Sequence, residues 1–529
     1  MSTTSKEIIF QEEALQSLTK GIEQMAGVVG ITLGPRGRNV GLDASYGSPT
    51  ITSDGHSIAN DIELSDSFKN VGVSMAKEMV SKIKEKVGDG TTTGIVLLNS
   101  LVLGGAKNIA AGASPIAIKR GMDKTLEALL KAIDAVAIPI KDRKETKNIA
   151  TVSASGVTEV GEHISKGFEK VGNAGVVTIE EGKSIDTTIE IVEGMQLDQG
   201  YVSPYFCSNA EKMIVELSEP SLLITDKKIA SAQEILSILQ HIATTGSELL
   251  IIAEDIEGDA LSTLVVNKLR GMLKIAAIKA PGFGDRRKAL LEDIAALTGA
   301  QVVTEEKGMI LKDADVDVLG KAERILISKD KTTIIDGKGN AKDVKARIAQ
   351  IDHEIKATTS SYDKEKLEER KAKLTGGVAV IKVGAPTESE MKKKKQLFED
   401  SLNATRAALE EGVVPGGGIA LLRATLGLKV PNLSKEEEVG SALLLKAAEA
   451  PFRQIVQNAG HDSSLFLQQV LAKGKNFGFN AVTESIEDLV QSGVIDPVKI
   501  IKTSLVHAVS MAGMVLLSEA VIVNSKDEK

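Results

Sequence analysis

Residues 221–280 read SLLITDKKIASAQEILSILQHIATTGSELLIIAEDIEGDALSTLVVNKLRGMLKIAAIKA. Short apolar runs (SLLITD, LLIIAED and KIAAIKA) alternate with longer segments, SAQEILSILQHIATTG and GDALSTLVVNKLRGML. The short runs have strand length. In the longer ones, apolar residues recur three and four apart, as on a helix face. Strands alternating with helices predict an α/β layer. The Gly/Pro turn PGFGDRR then leads into a further helix, RKALLEDIAAL.

Outward from this layer the pattern changes in the same way on both sides. VVTIEEG and TIEIVEG upstream, and GGVAVIKVG (376–384) downstream, carry the β-branched alternation of strands. Residues 341–373 are highly charged, with apolar Val344, Ile348, Ile351 and Ile355, and predict an exposed helix pair broken near TTSSYD. Further out both ends are helical. Apolar spacing predicts helices over 7–30 and 65–85, from VGDGTTT to about Gly104, and from Ser114, a good N-cap followed by Pro115. After residue 384 helices continue to about 475. This approximate palindrome implies one helical domain built from both chain ends, with the middle inserted into it.

At about 100–200 residues per domain, a chain of 529 residues suggests three. Aromatics make up 3% and Trp is absent, so the cores must be built from Ala, Val, Ile and Leu. Net charge is −8, with 64 basic and 72 acidic residues, unlike a nucleic-acid binder. The densest basic run, Lys392–Lys395, predicts a solvated helix face. Cys207 is the single cysteine, which excludes an intrachain disulfide and fits a reducing compartment. The start, MSTTSKEIIF, has no apolar core of signal-peptide length, and no stretch approaches ~18–20 uninterrupted apolar residues. The expectation is a soluble intracellular protein.

Common catalytic signatures are missing. There is no G-x-x-x-x-G-K-[ST], no G-x-G-x-x-G after a strand, no nucleophile elbow, and no metal-ligand spacing among His56, His163, His241, His353, His461 and His507. VGDGTTTGIVLL (87–98) is the exception. Gly88 and Gly90 permit close backbone approach, and Thr91–Thr93 offer hydroxyls and N–H groups at a helix N-terminus, where the dipole favours anions. Asp89 beside a phosphate would repel it unless a hard cation such as Mg²⁺ sat between them. The alternative is a capped helix after a turn. TLGPRGRNV and PGGGIALL (415–422) are further Gly-rich turns, each equally readable as a plain loop. Asp54 in TSDGHS and Asp400 in FEDSLNATRAALEEG are candidate water-activating acids, but spacing alone pairs neither with another acid.

Taken together and in order, TLGPRGRNV, SPTITSDG, GDGTTT, EGMQLDQGYVSPYF, LLIIAEDIEGDALSTLVVN, KAPGFGDRRK, DKTTIIDG, GGVAVIKVGAPTE, ATRAALEEGVVPGGG, EAPFRQIVQNAG, FGFNAVTE and IDP resemble a group I chaperonin of the bacterial GroEL type, over about residues 6–523. The resemblance implies a multidomain fold, mainly α plus α/β. Its parts are a helical equatorial ATP domain (1–135 and 411–529), a small α/β intermediate hinge domain (136–192 and 379–410) and an α/β apical domain (193–378). It implies a protein-folding ATPase assembled as two stacked heptameric rings, with unfolded polypeptides and a GroES-type co-chaperonin lid as partners, in a bacterial cytoplasm or an organelle interior. ATP and Mg²⁺ are the implied cofactors, with K⁺ as an additional ion.

Matched motif by motif, the resemblance implies that Thr32, Leu33, Gly34 and Pro35 would line the phosphates, with Ser53 preceding the catalytic turn. By the same resemblance Asp89 would ligate Mg²⁺, and Gly90, Thr91, Thr92 and Thr93 would hold phosphate oxygens. Gly417, Asn480, Ala481 and Val482 would border adenine and ribose, and Asp496 would meet the ribose. Asp54 and Asp400 would orient and activate water, Asp400 arriving only on domain closure. Tyr201, Tyr205, Phe206, Leu236, Leu239, Leu261, Val265 and Val266 match the client- and lid-binding surface. Read from spacing alone, these apolar residues are ordinary core packing.

The chain also departs from the family pattern. Ser53 replaces a usual lysine: either a lost cation weakens binding or turnover, or, if the family uses mainly the backbone carbonyl there, little changes. Gln199 replaces an arginine whose acid partner matches Glu388. SASGVTEV (153–160), His461, Asp462 and the terminal VNSKDEK, which lacks a Gly-Met repeat, also differ. These changes keep open an alternative: a diverged paralogue acting as a holdase or scaffold with weak ATPase.

Overall fold

The computed structural model describes residues 5–43, 50–140, 143–154, 156–172, 176–182, 184–209, 213–358 and 360–524. Ser155 of SASGVTEV and the tail after Asn524 lie outside the described residues. The chain forms two compact units, Met1–Ser165 with Gln396–Lys529, and Lys166–Lys395.

In the first unit, the helices Gln11–Val29, Ser67–Val87, Thr91–Ala110, Pro115–Asp134 and Val498–Leu516 surround one core that includes Leu18, Ile22, Ile83, Leu97 and Leu505. Their ends follow local chemistry. Ser114 Oγ accepts the Ala117 N–H, with Pro115 in the first turn. Asp66 accepts from the N–H groups of Phe68 and Lys69, and Gly88 closes the Ser67–Val87 helix at φ 74°. With few aromatics to fill space, helices approach backbone to backbone. A Cβ on Gly21 would lie 2.0 Å from the Lys69 carbonyl oxygen, and one on Gly440 would lie 2.0 Å from that of Ile118.

One expectation needs correction here. The apolar pattern at 7–30 begins as a strand, Lys6–Phe10, which pairs antiparallel with Ala520–Asn524; the helix starts at Gln11. A partner at the far end of the chain overrides local propensity. In addition, Thr91–Ala110 and Val498–Leu516 are long and apolar enough, by length and composition, to span a membrane. Buried residues of both lie in the first unit's core, which accounts for their composition.

In the second unit, Ser221–Ile224, Glu248–Ala253 and Lys274–Lys279 are parallel neighbours, with the helices Leu236–Thr245 and Gly258–Leu269 between them in sequence. The sheet continues antiparallel through Gly320–Ile327, Thr332–Gly337 and Gly194–Leu197, with Val215–Ser218 also on Gly320–Ile327. The central run Leu249–Ala253 is wholly buried, as expected of a parallel strand covered on both faces. The charged pair Ala341–Ala357 and Ser361–Thr375 docks on Gly284–Thr298 through Asp293. This carboxylate is 0% exposed, 2.6 Å from Arg347 Nε and 2.8 Å from Arg370 Nε. A separate small sheet joins Val176–Glu181, Val378–Val383 and Thr188–Val192.

Candidate functional site

The helix Thr91–Ala110 starts after Gly90 with no side-chain cap; Asp89 Oδ1 instead accepts the Gly90 N–H at 2.5 Å. The first-turn N–H groups of this 20-residue helix thus carry the positive end of its dipole without a side-chain partner. The capped-helix alternative is not what forms. Asp89 is exposed, Thr91 is buried, and Thr92 and Thr93 are half-buried. Three neighbours hold this turn. Ser504 Oγ donates to the Gly90 carbonyl at 2.9 Å. Asn403 packs on Gly88, where a Cβ would meet its Nδ2 at 2.2 Å. Gly55 presses on Thr92, whose Oγ1 a Cβ there would meet at 2.2 Å.

That last contact brings the Ser53-Asp54-Gly55 turn to the helix start. Asp54 Oδ2 accepts from Ser57 N and Oγ at 2.8 and 2.7 Å, capping Gly55–Asp61. Ser53 is exposed. Asp400, on the helix Glu388–Glu411, is present at the same place: its Oδ1 lies 2.7 Å from Lys84 Nζ and 2.8 Å from Gln396 Nε2.

The electrostatics are those of carboxylates gathered around one lysine. Burial pushes the Asp400 carboxyl up to about 6, aided by the charges of Asp89 and Asp54 and opposed by Lys84. Burial also pushes Asp54 upward, but Lys84 and the Ser57 hydrogen bonds outweigh it and hold Asp54 below the usual range. For Lys84, burial favours the neutral form; Asp400, Asp54 and Asp89 overcome it and raise its pKa. Sequence reasoning missed Lys84, one of 64 basic residues on a helix of mixed charge. It provides a cation to the site although position 53 holds serine.

Thr32 ends a short turn after Gln11–Val29 and is buried, its Oγ1 donating to the Val29 carbonyl; Leu33 is half-buried, and Gly34 and Pro35 are exposed. Asn458 Nδ2 donates to the carbonyls of Gly30 and Leu33, each at 2.9 Å. Arg36 Nε donates to Ala481 O at 3.1 Å, joining this turn to Asn480–Val482. Asn480 and Ala481 are buried, and Val482 is 61% exposed. Gly417, at φ 64°, abuts Phe479, and Asp496 pairs with Val414 across a two-stranded ladder. Burial and the charge of Asp89 push Asp496 up to about 6. Every residue expected at the nucleotide thus lies in the first unit.

Mg²⁺ can be tested against this donor set. Among the described residues no group of three or more His, Cys, Asp and Glu side chains makes a metal cage. One exposed carboxylate beside threonine hydroxyls suits an ion that keeps waters and completes its shell with phosphate oxygens.

The TCP-1/cpn60 chaperonin family matches residues 25–526. Chaperonin GroEL 3 of Protochlamydia amoebophila (strain UWE25) is 61% identical over 524 residues, 99% of this chain and 98% of its own length. The chain is a group I chaperonin.

On the chaperonin's second unit, the residues expected to face clients divide. Tyr205 is 62% exposed, Leu236 47% and Val266 43%. Tyr201, Leu261 and Val265 are half-buried against the sheet's core. Phe206, at 0%, and Leu239, at 6%, belong to that core and do not face clients in this structure. Tyr205 and Phe206 are adjacent in the turn Pro204–Phe206, and Leu236 is the first residue of the helix that buries Leu239 one turn later. Lys268 Nζ donates to the Cys207 carbonyl at 2.7 Å, tying this turn to Gly258–Leu269. Leu269 and Met272, 61% and 63% exposed, extend the apolar surface and were missed. The spacing of Leu269, three residues after Val266, was the signal available.

Glu388 pairs with Lys392 on its own helix at 2.8 Å. The basic run is not wholly solvated: Lys394 donates to the Gly384 carbonyl, and Lys395 pairs with Glu181 at 2.8 Å.

Proposed function

We propose that this chaperonin captures non-native polypeptides on its exposed apolar surface and folds them in a cycle driven by ATP hydrolysis. The observation that carries the reading is the gathering of Asp54, Asp89 and Asp400 at the uncapped N-terminus of Thr91–Ala110. In this reading phosphates rest on Gly90–Thr93 and Thr32–Pro35, while Gly417, Asn480–Val482 and Asp496 border the nucleoside. Asp89 would hold Mg²⁺, which neutralises phosphate charge when bound. Asp54 and Asp400 orient the attacking water. As its oxygen bonds to the γ-phosphorus, the bond to the bridging oxygen breaks, ADP leaves, and the proton passes to Asp400.

The proposed assembly is two stacked seven-membered rings closed by a co-chaperonin lid in a bacterial cytoplasm. Residues 136–192 with 379–410 are proposed as the hinge between equatorial and apical domains. The test is steady-state ATPase of the wild type and Asp400→Ala, with native mass recorded with and without Mg²⁺ and ATP. Turnover in the wild type, with loss of about a hundredfold or more in the variant at unchanged ATP binding, supports the reading. No turnover in either would leave a holdase or scaffold.

A further inference from the structure

The donors on Asp400 are unevenly placed. Lys84 Nζ and Gln396 Nε2 both reach Oδ1, at 2.7 and 2.8 Å, and Oδ2 accepts nothing from the described residues in these pairings. Gln396 lies one helical turn before Asp400 on the same helix, so it fixes the side chain only relative to its own helix. Lys84 comes from the end of Ser67–Val87, the helix that runs directly into Gly88-Asp89-Gly90. The lysine therefore fixes the carboxylate relative to the loop proposed to hold the phosphates. The Lys84 side chain is 23% exposed and that of Asp400 25%, so the pair is shielded enough for its geometry to persist.

We infer that Lys84 is a positioning residue for hydrolysis: it anchors one oxygen of Asp400 to the phosphate-loop helix so that the other faces the attacking water. This rests on the reading of Asp400 as the water-activating acid. A base must sit within hydrogen-bond reach of the proton it takes, and a misplacement of about 1 Å can cost about a hundredfold in rate. Ser53 offers no charge to replace this anchor, and no other cation among the described residues is paired with Asp400.

The experiment measures kcat and KM for ATP in wild type, Lys84→Met, Lys84→Arg, Lys84→Gln, Asp400→Ala and the Lys84→Met/Asp400→Ala double variant. Lys84→Met is expected to lose about a hundredfold in kcat with KM within about threefold, because positioning acts on the chemical step. Lys84→Arg, which keeps charge and donors, should recover most of the loss, and the double variant should be no slower than Asp400→Ala. Should Lys84→Met fail to fold, Lys84→Gln serves in its place, retaining a donor and losing the charge. Wild-type turnover with undiminished kcat in Lys84→Met would overturn this inference alone. So would a double variant slower than Asp400→Ala by the full Lys84→Met factor, since the lysine would then act on the phosphates and not through Asp400. Absence of wild-type turnover would overturn the ATPase reading and this inference with it.

Discussion

Ser504 donates its hydroxyl to the Gly90 carbonyl at 2.9 Å across 414 positions of sequence. The proposed phosphate loop is thus braced by a helix from the opposite end of the chain, and Gly90 has no room to change. Its φ is 86°, and a Cβ would fall 2.5 Å from Ser504 Oγ and 2.6 Å from Ile500 Cγ2. Gly90→Ala combines a left-handed backbone with overpacking, costs of about 1–3 kcal/mol each. Nucleotide affinity, measured by titration with a fluorescent ATP analogue, should fall about tenfold or more. Ser504→Ala removes one hydrogen bond and should cost about 1 kcal/mol. Equal, wild-type affinity in both would show that the loop is not the phosphate site.

The carboxyl of Asp400 is raised to about 6, first by burial and then by Asp89 and Asp54. A base must be ionised to accept a proton, so activity is present above that pH and is lost as pH falls through it. The kcat/KM for ATP, which reports the free enzyme, should show an acid limb near 6. Asp496 is also raised to about 6, by burial and Asp89. The limb should therefore survive in Asp496→Asn. In Lys84→Met it should move to higher pH, because Lys84 is the charge that lowers Asp400. A limb that disappears with Asp496 would assign it to the wrong acid.

What was legible in the sequence was whatever short stretches determine. Glycines at Gly34, Gly88 and Gly90 all adopt positive φ, Ser114 caps its helix, and the 221–280 alternation forms parallel strands with intervening helices. What was not legible depends on partners far away in the chain. Lys6–Phe10 becomes a strand because Ala520–Asn524 pairs with it. Lys84 has no local signature, since its place in the site is set by a helix more than 300 residues later, |i−j| being 316 for its bond to Asp400. Phe206 carries the same aromatic signal as Tyr205, yet one is buried in the sheet's core and the other exposed, a difference that contacts with distant segments set.

Asp293 supplies a stability test independent of nucleotide. It is fully buried, with Arg347 Nε at 2.6 Å and Arg370 Nε and Nη2 at 2.8 and 3.0 Å. Removing the carboxylate leaves two guanidinium groups, 16% and 12% exposed, without their shared counter-charge. Breaking such a cluster from one side costs about 3–5 kcal/mol, because uncompensated charge remains in a shielded place. Asp293→Ala should lower the unfolding free energy of the second unit by that amount, read from the denaturant midpoint and slope, while leaving the first unit's transition in place. A change under about 1 kcal/mol would mean that water already screens the cluster.

Tyr205 and Phe206 should separate capture from folding. Tyr205 is 62% exposed beside a helix that also presents Val266 and Leu269, whereas Phe206 is at 0% within the sheet's core. Tyr205→Glu places a charge on an apolar surface at little cost to the fold. Binding of a chemically unfolded client, read by co-sedimentation, should weaken about tenfold or more, with ATPase and thermal midpoint unchanged. Phe206→Ala empties a packed site and should destabilise the second unit by about 3–5 kcal/mol. Any loss of capture in that variant should track unfolding and recover under stabilising conditions. If Phe206→Ala instead lost capture with its stability intact, Phe206 would have to leave the core during the cycle, and the surface drawn from this structure would be incomplete.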